Sequence, residues 1–359
     1  MTEMDGLVSL RPEAATWLRD GATIVSSDHA VFRVEGPGAV DCVQGVLTND
    51  VLRPGRGSLV YGAMLTPKGM IVVDLWAIRT GRGGEGGEGG ERGERGEDGK
   101  DAEQITLVVP RAGRDAAMSL FRAQFPPRLA RVVELTPDWG THWLIGGGAR
   151  VETVFLEAGV ELPAAEGHAG WILRGDGAGE GRSETGRSVI LAKGQDIAPW
   201  RALALGPRAE LDALSLELQA VGALAGGDEH FEAARILAGW PALGREIGEK
   251  TLPQEVRYDE IGGVSYTKGC YVGQETVARV HFRGHPNRQL RGLLWDGEGV
   301  APGQGVSTGE REVGRLGSVL EVGTRHYGLA VIRREVGDGA IVTVGRIATA
   351  RVCELPFAL

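Results

Sequence analysis

Residues 268–275 bring together side chains that could carry out chemistry. The run reads KGCYVGQE and holds a thiol, an ammonium, a phenol, an amide and a carboxylate, interrupted by two glycines. Glycine lets the backbone adopt conformations closed to other residues, or lets a ligand approach closely. A nearby ammonium lowers the pKa of a thiol and makes the nucleophilic or metal-ligating thiolate more accessible. The pattern therefore predicts a reactive loop centred on Cys270, with Lys268 beside it.

Cys270 has two possible chemical roles. The simpler alternative is that it is a buried residue that only packs against its neighbours. The thiolate could be a nucleophile, or it could be one ligand of an iron–sulfur cluster shared with a partner, because such clusters take about four thiolate ligands. Cys42, Cys270 and Cys353 lie far apart in the chain without a CxxC pair. This spacing excludes a disulfide framework and a self-contained zinc site.

The other polar residues of the run have two interpretations each. Gln274 and Glu275 could orient Cys270, or they could cap neighbouring backbone amides. Tyr271 could stack on a ring or donate a hydrogen bond to it, and it could equally pack in the core.

Asp74 is the best candidate outside this run. If residues 70–78 form a strand, Met70, Val72, Asp74, Trp76 and Ile78 share one face. An acid among large apolar neighbours is either buried with a partner or lines a pocket. A carboxyl with a raised pKa could also exchange protons with a bound molecule. The alternative is an inverted register, in which Asp74 faces solvent.

Composition limits the class of protein. At 359 residues the chain predicts two or three domains. A net charge of −9 argues against nonspecific electrostatic binding to nucleic acid. No apolar run approaches the roughly 20 residues of a membrane span. The first residues lack the basic and then apolar order of a secretory signal, so we expect a cytoplasmic protein.

Local patterns predict several elements. Residues 81–101 contain only glycine and charged or small residues, which predicts a disordered loop between two strands. Thr66-Pro67-Lys68-Gly69 predicts the turn of a hairpin. Asp228 and Gly239 predict the N-cap and the end of a helix. A Leu/Ala-rich helix is expected to follow Pro199-Trp200 and to run through Leu218. After residue 288, short alternating segments predict a small β-barrel.

The chain also carries a set of motifs that belong together. KGCYVGQE is followed by Arg279 and Arg288. The remaining motifs are Leu47-Thr48-Asn49-Asp50, Met64-Leu65-Thr66-Pro67-Lys68-Gly69, Arg235-Ile236 with Gly239, Pro241 and Gly244, Leu252-Pro253-Gln254-Glu255, and Leu355-Pro356-Phe357. In this combination and order the chain resembles the YgfZ family of folate-binding proteins, which are relatives of the T-protein, the aminomethyltransferase of the glycine cleavage system.

The resemblance implies an α+β fold like that of the T-protein. We expect interleaved α/β domains that include a ferredoxin-like unit, followed by a C-terminal β-barrel. The expected ranges are 1–135 for a folate-binding-type domain with the loop at 81–101, 136–287 for a second domain with the KGCYVGQE loop, and 288–359 for the barrel.

The resemblance also implies a function. YgfZ proteins bind tetrahydrofolate and support the assembly or repair of iron–sulfur clusters in client enzymes, including radical enzymes that modify tRNA. The expected partners are therefore folate, cluster-assembly proteins and client enzymes, without direct contact to nucleic acid or membrane. We therefore expect an accessory factor with an aminomethyltransferase-like fold, in which Cys270 is a transient ligand of the cluster.

The residues carried over by the resemblance fall into two groups. The expected folate-binding residues are Asp74, Trp76, Asn49, Arg235, Gly269 and Gly273. Lys268 is expected either to lower the pKa of Cys270 or to bind the glutamate carboxylates of folate. In the T-protein the hairpin ends in two aspartates, whereas here Val73 precedes Asp74. Two alternatives therefore stay open: a folate-dependent aminomethyl- or methyltransferase, and a folate-sensing scaffold without chemistry.

Overall fold

The computed structural model describes residues 6–80, 103–174 and 187–357 of the chain. The predicted glycine-rich loop at 81–101 lies outside these described residues. The helices are α1 (Pro12–Asp20), α2 (Ala39–Gln44), α3 (Arg114–Gln124), α4 (Gly148–Glu157), α5 (Arg208–Ala220), α6 (Asp228–Ala238) and α7 (Gln274–Arg283), with 3₁₀ turns at Arg111–Gly113 and Pro253–Val256. The strands are β1 (Leu7–Leu10), β2 (Ala22–Ser27), β3 (Ala30–Gly36), β4 (Ser58–Leu65), β5 (Ile71–Arg79), β6 (Glu103–Val109), β7 (Arg131–Glu134), β8 (Trp139–Gly146), β9 (Ala169–Arg174), β10 (Arg187–Lys193), β11 (Ala202–Pro207), β12 (Leu224–Gly226), β13 (Arg288–Asp296), β14 (Gly305–Thr308), β15 (Arg311–Val322), β16 (Arg325–Arg333), β17 (Ile341–Val344) and β18 (Ala348–Cys353).

The first sheet has five strands in the order β4-β5-β6-β3-β7, all antiparallel. Within it, β7-β3-β6-β5 has the 4-1-3-2 order of a ferredoxin-like unit, in which α2 and α3 are the connecting helices. The hairpin partner β4 extends the sheet by one strand. This confirms the expected ferredoxin-like unit.

The second sheet has six strands in the order β12-β2-β8-β11-β10-β9. The helices α4 and α5 pack on one face, where Phe155 and Leu214 join a buried apolar cluster. The opposite face contributes Trp143, Ile190 and Leu205 to the largest core cluster. That same cluster contains Trp76 and Ile78 of the first sheet and residues of α6, so the two sheets share one core.

The C-terminal strands close into a barrel. Their order is β15-β14-β17-β18-β13-β16, and β16 pairs again with β15. The β-strand pattern after residue 288 thus predicted this barrel correctly. The N-terminal strand β1 pairs in parallel with β15 and adds to the outside of the ring.

Three local predictions need correction. Pro199-Trp200 leads into β11, and the helix starts only at Arg208, because residues 202–207 form a buried strand of the second sheet. Asp228 is the first residue of α6, and Gly227 occupies the N-cap position. The strand β5 starts at Ile71, and a register shift between Met64 and Leu65 places Ile71 in the core shared by the two sheets.

The predicted domain ranges stay predictions, since the sheets interleave along the chain. β1 belongs to the barrel sheet and β2 to the second sheet, although both precede the first sheet in sequence. Across the described ranges, no helix is long and apolar enough to cross a membrane.

Candidate functional site

Asp74 lies in the interior, on the face of β5 that points toward the second sheet. Its side chain is 4% exposed. The Oδ2 atom accepts a hydrogen bond of 2.8 Å from the Tyr61 hydroxyl, which in turn lies 3.1 Å from the Tyr258 hydroxyl. The other carboxyl oxygen, Oδ1, is buried and has no hydrogen-bond partner in the described part of the chain. The predicted burial of this acid is therefore confirmed, and the register prediction holds at Asp74 and Trp76.

Burial dominates the protonation of Asp74. Loss of hydration raises the pKa of the carboxyl to about 6, and the Tyr61 hydrogen bond, the backbone N–H of Asp74 itself and the positive charge of Arg235 lower it only in part. Burial also raises the pKa of Tyr61 and of Tyr258 well above the ordinary value, so both phenols stay protonated. The carboxyl can consequently hold or release a proton near neutral pH.

Asp74 lines a cavity of about 330 Å³ between the two sheets and α6. Three tryptophans form part of its wall, beside charged and small residues: Trp76 stacks on Trp240 at 5.4 Å with an interplanar angle of 15°, and Trp200 meets Trp76 edge-on at 4.9 Å. The volume falls in the range of small-molecule sites. The cavity therefore combines flat aromatic rings with one buried acceptor that the protein leaves free.

Arg235 also lines this cavity, but its hydrogen bonds are used within the protein. The guanidinium is 3% exposed and donates to Glu232, Glu246, the Ser318 hydroxyl and the Trp240 carbonyl. These contacts occupy all five of its N–H groups. Although burial lowers the pKa of this guanidinium, the two carboxylates raise it further, so the charge is permanent. A ligand could contact only the flat face of the Arg235 guanidinium. The guanidinium has no N–H left for the bond to folate that the resemblance implied.

A second polar group in the cavity was not predicted from the sequence. His29, between β2 and β3, lines the cavity together with Ser27. Its Nδ1 atom lies 2.8 Å from the Ser27 hydroxyl. Burial lowers the pKa of His29 to about 4, so the ring is neutral at pH 7. The sequence showed only a polar break between two strands here, which gave no signal for a site.

The predicted reactive loop presents its thiol to solvent, since Cys270 is exposed. Lys268 is buried, however, and its ammonium donates to the carbonyl oxygens of Gln44, Leu47 and Asn49 at 2.6, 2.6 and 2.9 Å. Burial lowers the pKa of Lys268 to about 8, against the opposing effect of Asp50. Because three carbonyls take all three donors, this lysine holds the loop to the segment that follows α2. It has no N–H left for folate carboxylates.

The remaining residues of the loop have structural contacts. Tyr271 is buried in the shared core under the Lys268 ammonium, which lies 5.0 Å from its ring centre, and burial raises its pKa to about 12. Gln274 accepts from the Tyr271 backbone N–H at 3.4 Å, in agreement with the capping alternative. Glu275 is exposed. These contacts favour the packing and capping interpretations of Tyr271 and Gln274.

Asn49, Gly269 and Gly273 lie with the loop and not in the cavity lining. The Asn49 amide donates to the Tyr61 and Gly262 carbonyls at 2.8 and 2.6 Å. Gly273 has a φ of 84°, and a Cβ there would lie 2.6 Å from the Thr66 carbonyl oxygen. Around Gly269, by contrast, a Cβ would meet nothing within 4 Å. Gly273 is thus required by close backbone packing, whereas Gly269 lies in open space.

The structure therefore separates two groups of predicted residues. Asp74, Trp76 and Arg235 meet in the cavity, and none of the described lining residues comes from residues 268–275. The thiol lies at the surface outside this lining. Within the described ranges, no three side chains of His, Cys, Asp or Glu are grouped as metal ligands. A metal cluster at Cys270 would need its other ligands from other molecules.

Comparison with known proteins places this arrangement in a class. A crystal structure of the aminomethyltransferase T of the glycine cleavage system from Bartonella henselae matches with a TM-score of 0.73 and 16% identity, over 97% of the chain and 89% of that protein. The aminomethyltransferase of Rubrobacter xylanophilus is 27% identical over 331 residues, 90% of the chain and 79% of that protein. The tRNA-modifying protein YgfZ of Cronobacter sakazakii is 39% identical over 90 residues, 24% of the chain and 26% of that protein.

These likenesses differ in extent. Three of the relatives are matched over only 24% to 38% of their own length. No family model matches the chain. The fold is that of the aminomethyltransferases, as expected. Within that class, the sequence matches and the KGCYVGQE loop make the chain similar to YgfZ-type proteins.

Proposed function

We propose that this protein binds tetrahydrofolate, or a derivative of it, in the aromatic cavity and supports the assembly or repair of iron–sulfur clusters in client enzymes. The observation that carries the proposal is the buried Oδ1 atom of Asp74, which has no partner in a cavity partly walled by flat aromatic rings. An unpaired buried acceptor costs free energy, which a ligand with a matching donor would offset.

The chemistry of a reduced pterin fits this position. Its ring presents an N–H beside an amino group, and its flat shape suits the space beside Trp76, Trp200 and Trp240. Because Tyr61 already donates to Oδ2, Oδ1 is the acceptor that remains for the ring. When bound, the folate would supply one-carbon or redox chemistry, while this chain's own residues bind the ring and hold a proton at Asp74.

The client role rests on the exposed Cys270 thiol. It lies outside the cavity, at the surface, where a cluster donor or a client enzyme can reach it. The cluster would be cargo, with one ligand from Cys270 and the rest from the donor or the client. The name of the Cronobacter relative, a tRNA-modifying protein, supports clients among the radical enzymes that modify tRNA.

A second candidate function is a folate-dependent aminomethyl- or methyltransferase. Two observations favour it: the match to the Rubrobacter aminomethyltransferase spans 90% of the chain, and the pKa of Asp74, about 6, suits proton exchange with a substrate nitrogen. The two functions differ in their need for the surface thiol, because a reaction confined to the cavity would not use Cys270.

Folate binding is tested by titrating tetrahydrofolate into the wild-type protein and Asp74→Asn, with calorimetry as the readout. In the variant the amide carries no charge in either orientation. When its oxygen keeps the Tyr61 hydrogen bond, the NH₂ group replaces Oδ1 and meets the donor of the ligand. When the amide is reversed, the Tyr61–Tyr258 hydrogen bond must also reverse and the ligand meets a neutral acceptor. We expect binding to weaken roughly 10- to 100-fold, as for a lost hydrogen bond to a charged group. Asp296→Asn, which changes an exposed barrel carboxylate, is the matched control and should bind normally. Absence of binding by wild type would remove the folate proposal.

The client role is tested by complementation of a strain that lacks its own YgfZ-type protein. We expect Cys270→Ser to fold and bind tetrahydrofolate like wild type, yet to fail to restore the activity of iron–sulfur enzymes, because serine is a poor cluster ligand. Cys353→Ser, which alters a partly buried cysteine of the barrel, should complement. Full complementation by Cys270→Ser would favour the transferase or a scaffold without chemistry.

A further inference from the structure

Ser27 is the centre of a small hydrogen-bonded group beside the cavity. Its hydroxyl oxygen lies 2.7 Å from Trp143 Nε1, 2.8 Å from the Thr141 hydroxyl and 2.8 Å from His29 Nδ1. The indole N–H can only donate, so Ser27 accepts that bond. The remaining lone pair and the O–H of Ser27 are shared between Thr141 and His29. Since both hydroxyls can reverse direction, the His29 ring can adopt either neutral tautomer.

The ring of His29 is held in place by this group and by two aromatic neighbours. Its centre lies 5.0 Å from that of Trp143 and 5.7 Å from that of Phe231. Nδ1 faces Ser27, so Nε2 lies on the opposite edge of a ring that lines the cavity. Nε2 makes no hydrogen bond within the described residues, which leaves one free polar edge in a fixed orientation.

The charges around His29 define what this edge can accept. Asp28 and Glu232 are paired with Arg111 and Arg235, whereas Asp228 has a raised pKa because of burial and the like charges nearby. Three guanidinium groups, those of Arg111, Arg235 and Arg245, line the same cavity, so these acids and cations are present in equal number around this neutral imidazole. The free ring edge therefore suits an uncharged N–H, O–H or carbonyl group.

We propose that His29 is a second ligand-recognition residue, whose Nε2 edge hydrogen-bonds an uncharged polar group of the molecule that Asp74 holds. This inference rests on the proposed binding of folate in the cavity and adds a contact to it. Ring contacts run from His29 through Trp143 and Trp200 to Trp76, and the last two of these rings line the cavity with Asp74. The arrangement selects a flat ligand with polar atoms on two edges.

Two substitutions of His29 distinguish recognition of the ligand from structural support of Ser27. In His29→Asn the amide lies near the position of Nδ1, so the Ser27 contact is kept and the Nε2 edge is lost. In His29→Gln the longer side chain places an amide near Nε2 and gives up the Ser27 contact. With tetrahydrofolate as the probe, we expect His29→Asn to bind about 5- to 10-fold more weakly and His29→Gln to stay within about 3-fold of wild type. A purely supporting role for His29 predicts the reverse ranking.

The exposed His285 provides the control, since His285→Asn should bind like wild type. The Nε2 resonance of His29 in a ¹⁵N spectrum should shift on addition of tetrahydrofolate, whereas a ring that only supports Ser27 would leave it unchanged. Equal binding by wild type and His29→Asn, with Asp74→Asn still impaired, would overturn this inference alone. Absence of binding by wild type would overturn the folate proposal and this inference together.

Discussion

Asp74, the residue proposed to hold the ligand, works against the stability of the folded protein. Its carboxyl is buried, one of its oxygens has no partner, and its pKa is raised from 3.8 to about 6. The folded protein therefore binds a proton at this residue over a pH range in which the unfolded chain has released it. Such conflict between local chemistry and stability is typical of functional positions.

The raised pKa of Asp74 predicts a specific pH dependence of the free energy of unfolding. A carboxyl whose folded pKa lies above its unfolded pKa contributes stability below the unfolded value, and this contribution is lost as the pH rises through the folded value. For the shift from 3.8 to about 6 the whole loss is about 3 kcal/mol, of which about 2 kcal/mol falls between pH 4 and pH 7. Asp74→Asn cannot ionise, so its stability advantage over wild type should grow by about this amount between pH 4 and pH 7.

Urea unfolding of both proteins at several pH values measures this difference. Asp296→Asn removes an exposed carboxylate in an ion pair and should show no comparable growth. A constant difference between Asp74→Asn and wild type would mean that the carboxyl is hydrated. The same variant is expected to bind folate poorly while unfolding less easily, so impaired binding could not be attributed to loss of fold.

The sequence predicts the surroundings of some residues better than those of others. The alternation of β5 favoured a buried Asp74, because a strand sends alternate side chains to one face, and the structure decides against the inverted register. The partners of Lys268 and the Ser318 partner of Arg235 could not be predicted, because they lie more than 200 and more than 80 positions away in the chain. A motif shows that a residue matters without showing whether it meets a ligand or the protein itself.

Among the elements, the KGCYVGQE loop and the turn after β4 are neighbours. Gly69 and Gly273 both have positive φ, and a Cβ on Gly273 would lie 3.1 Å from the Gly69 Cα. A Cβ on Gly69 would lie 2.8 Å from the side chain of Thr276. Two motifs about 200 positions apart thus need glycine for the same close contact. This packing explains why both occur in one chain, and it fixes the thiol loop on the hairpin that carries Asp74.

Element boundaries were predicted where local signals were strong. The helix α6 ends at Gly239, whose φ of 66° is left-handed, as the glycine there predicted. The start of α5 was missed, because it depends on the pairing of β11 with β8, which is distant in sequence. The register shift in the β4–β5 hairpin was missed although the two strands are consecutive, because nothing in the sequence signals it. The barrel strands were predicted because alternation and turn residues are local.

At the scale of the whole molecule, the surface thiol and the cavity are separate but connected. Lys268 donates to the Asn49 carbonyl, the Asn49 amide donates to the Tyr61 carbonyl, and the Tyr61 hydroxyl donates to Asp74. Tyr271 packs in the same cluster as Tyr61. A displacement of β4 at the cavity would therefore also act on the contacts that hold the thiol loop, and the proposed binding of folate would have a physical route to Cys270.

Arg235 connects α6 to the barrel, because it donates a hydrogen bond to Ser318 in β15. It also forms an ion pair with Glu246, whose side chain is fully buried. Arg235→Met would leave the Glu246 carboxylate without its partner and should lower the free energy of unfolding by about 3–5 kcal/mol. Arg235→Met combined with Glu246→Leu should recover part of this loss, since no charge is then left buried and unpaired. Arg325→Met breaks an exposed barrel ion pair and should change the free energy of unfolding little. Urea unfolding of the four proteins checks this, and a loss for Arg235→Met as small as that for Arg325→Met would show that Arg235 is free to serve a ligand.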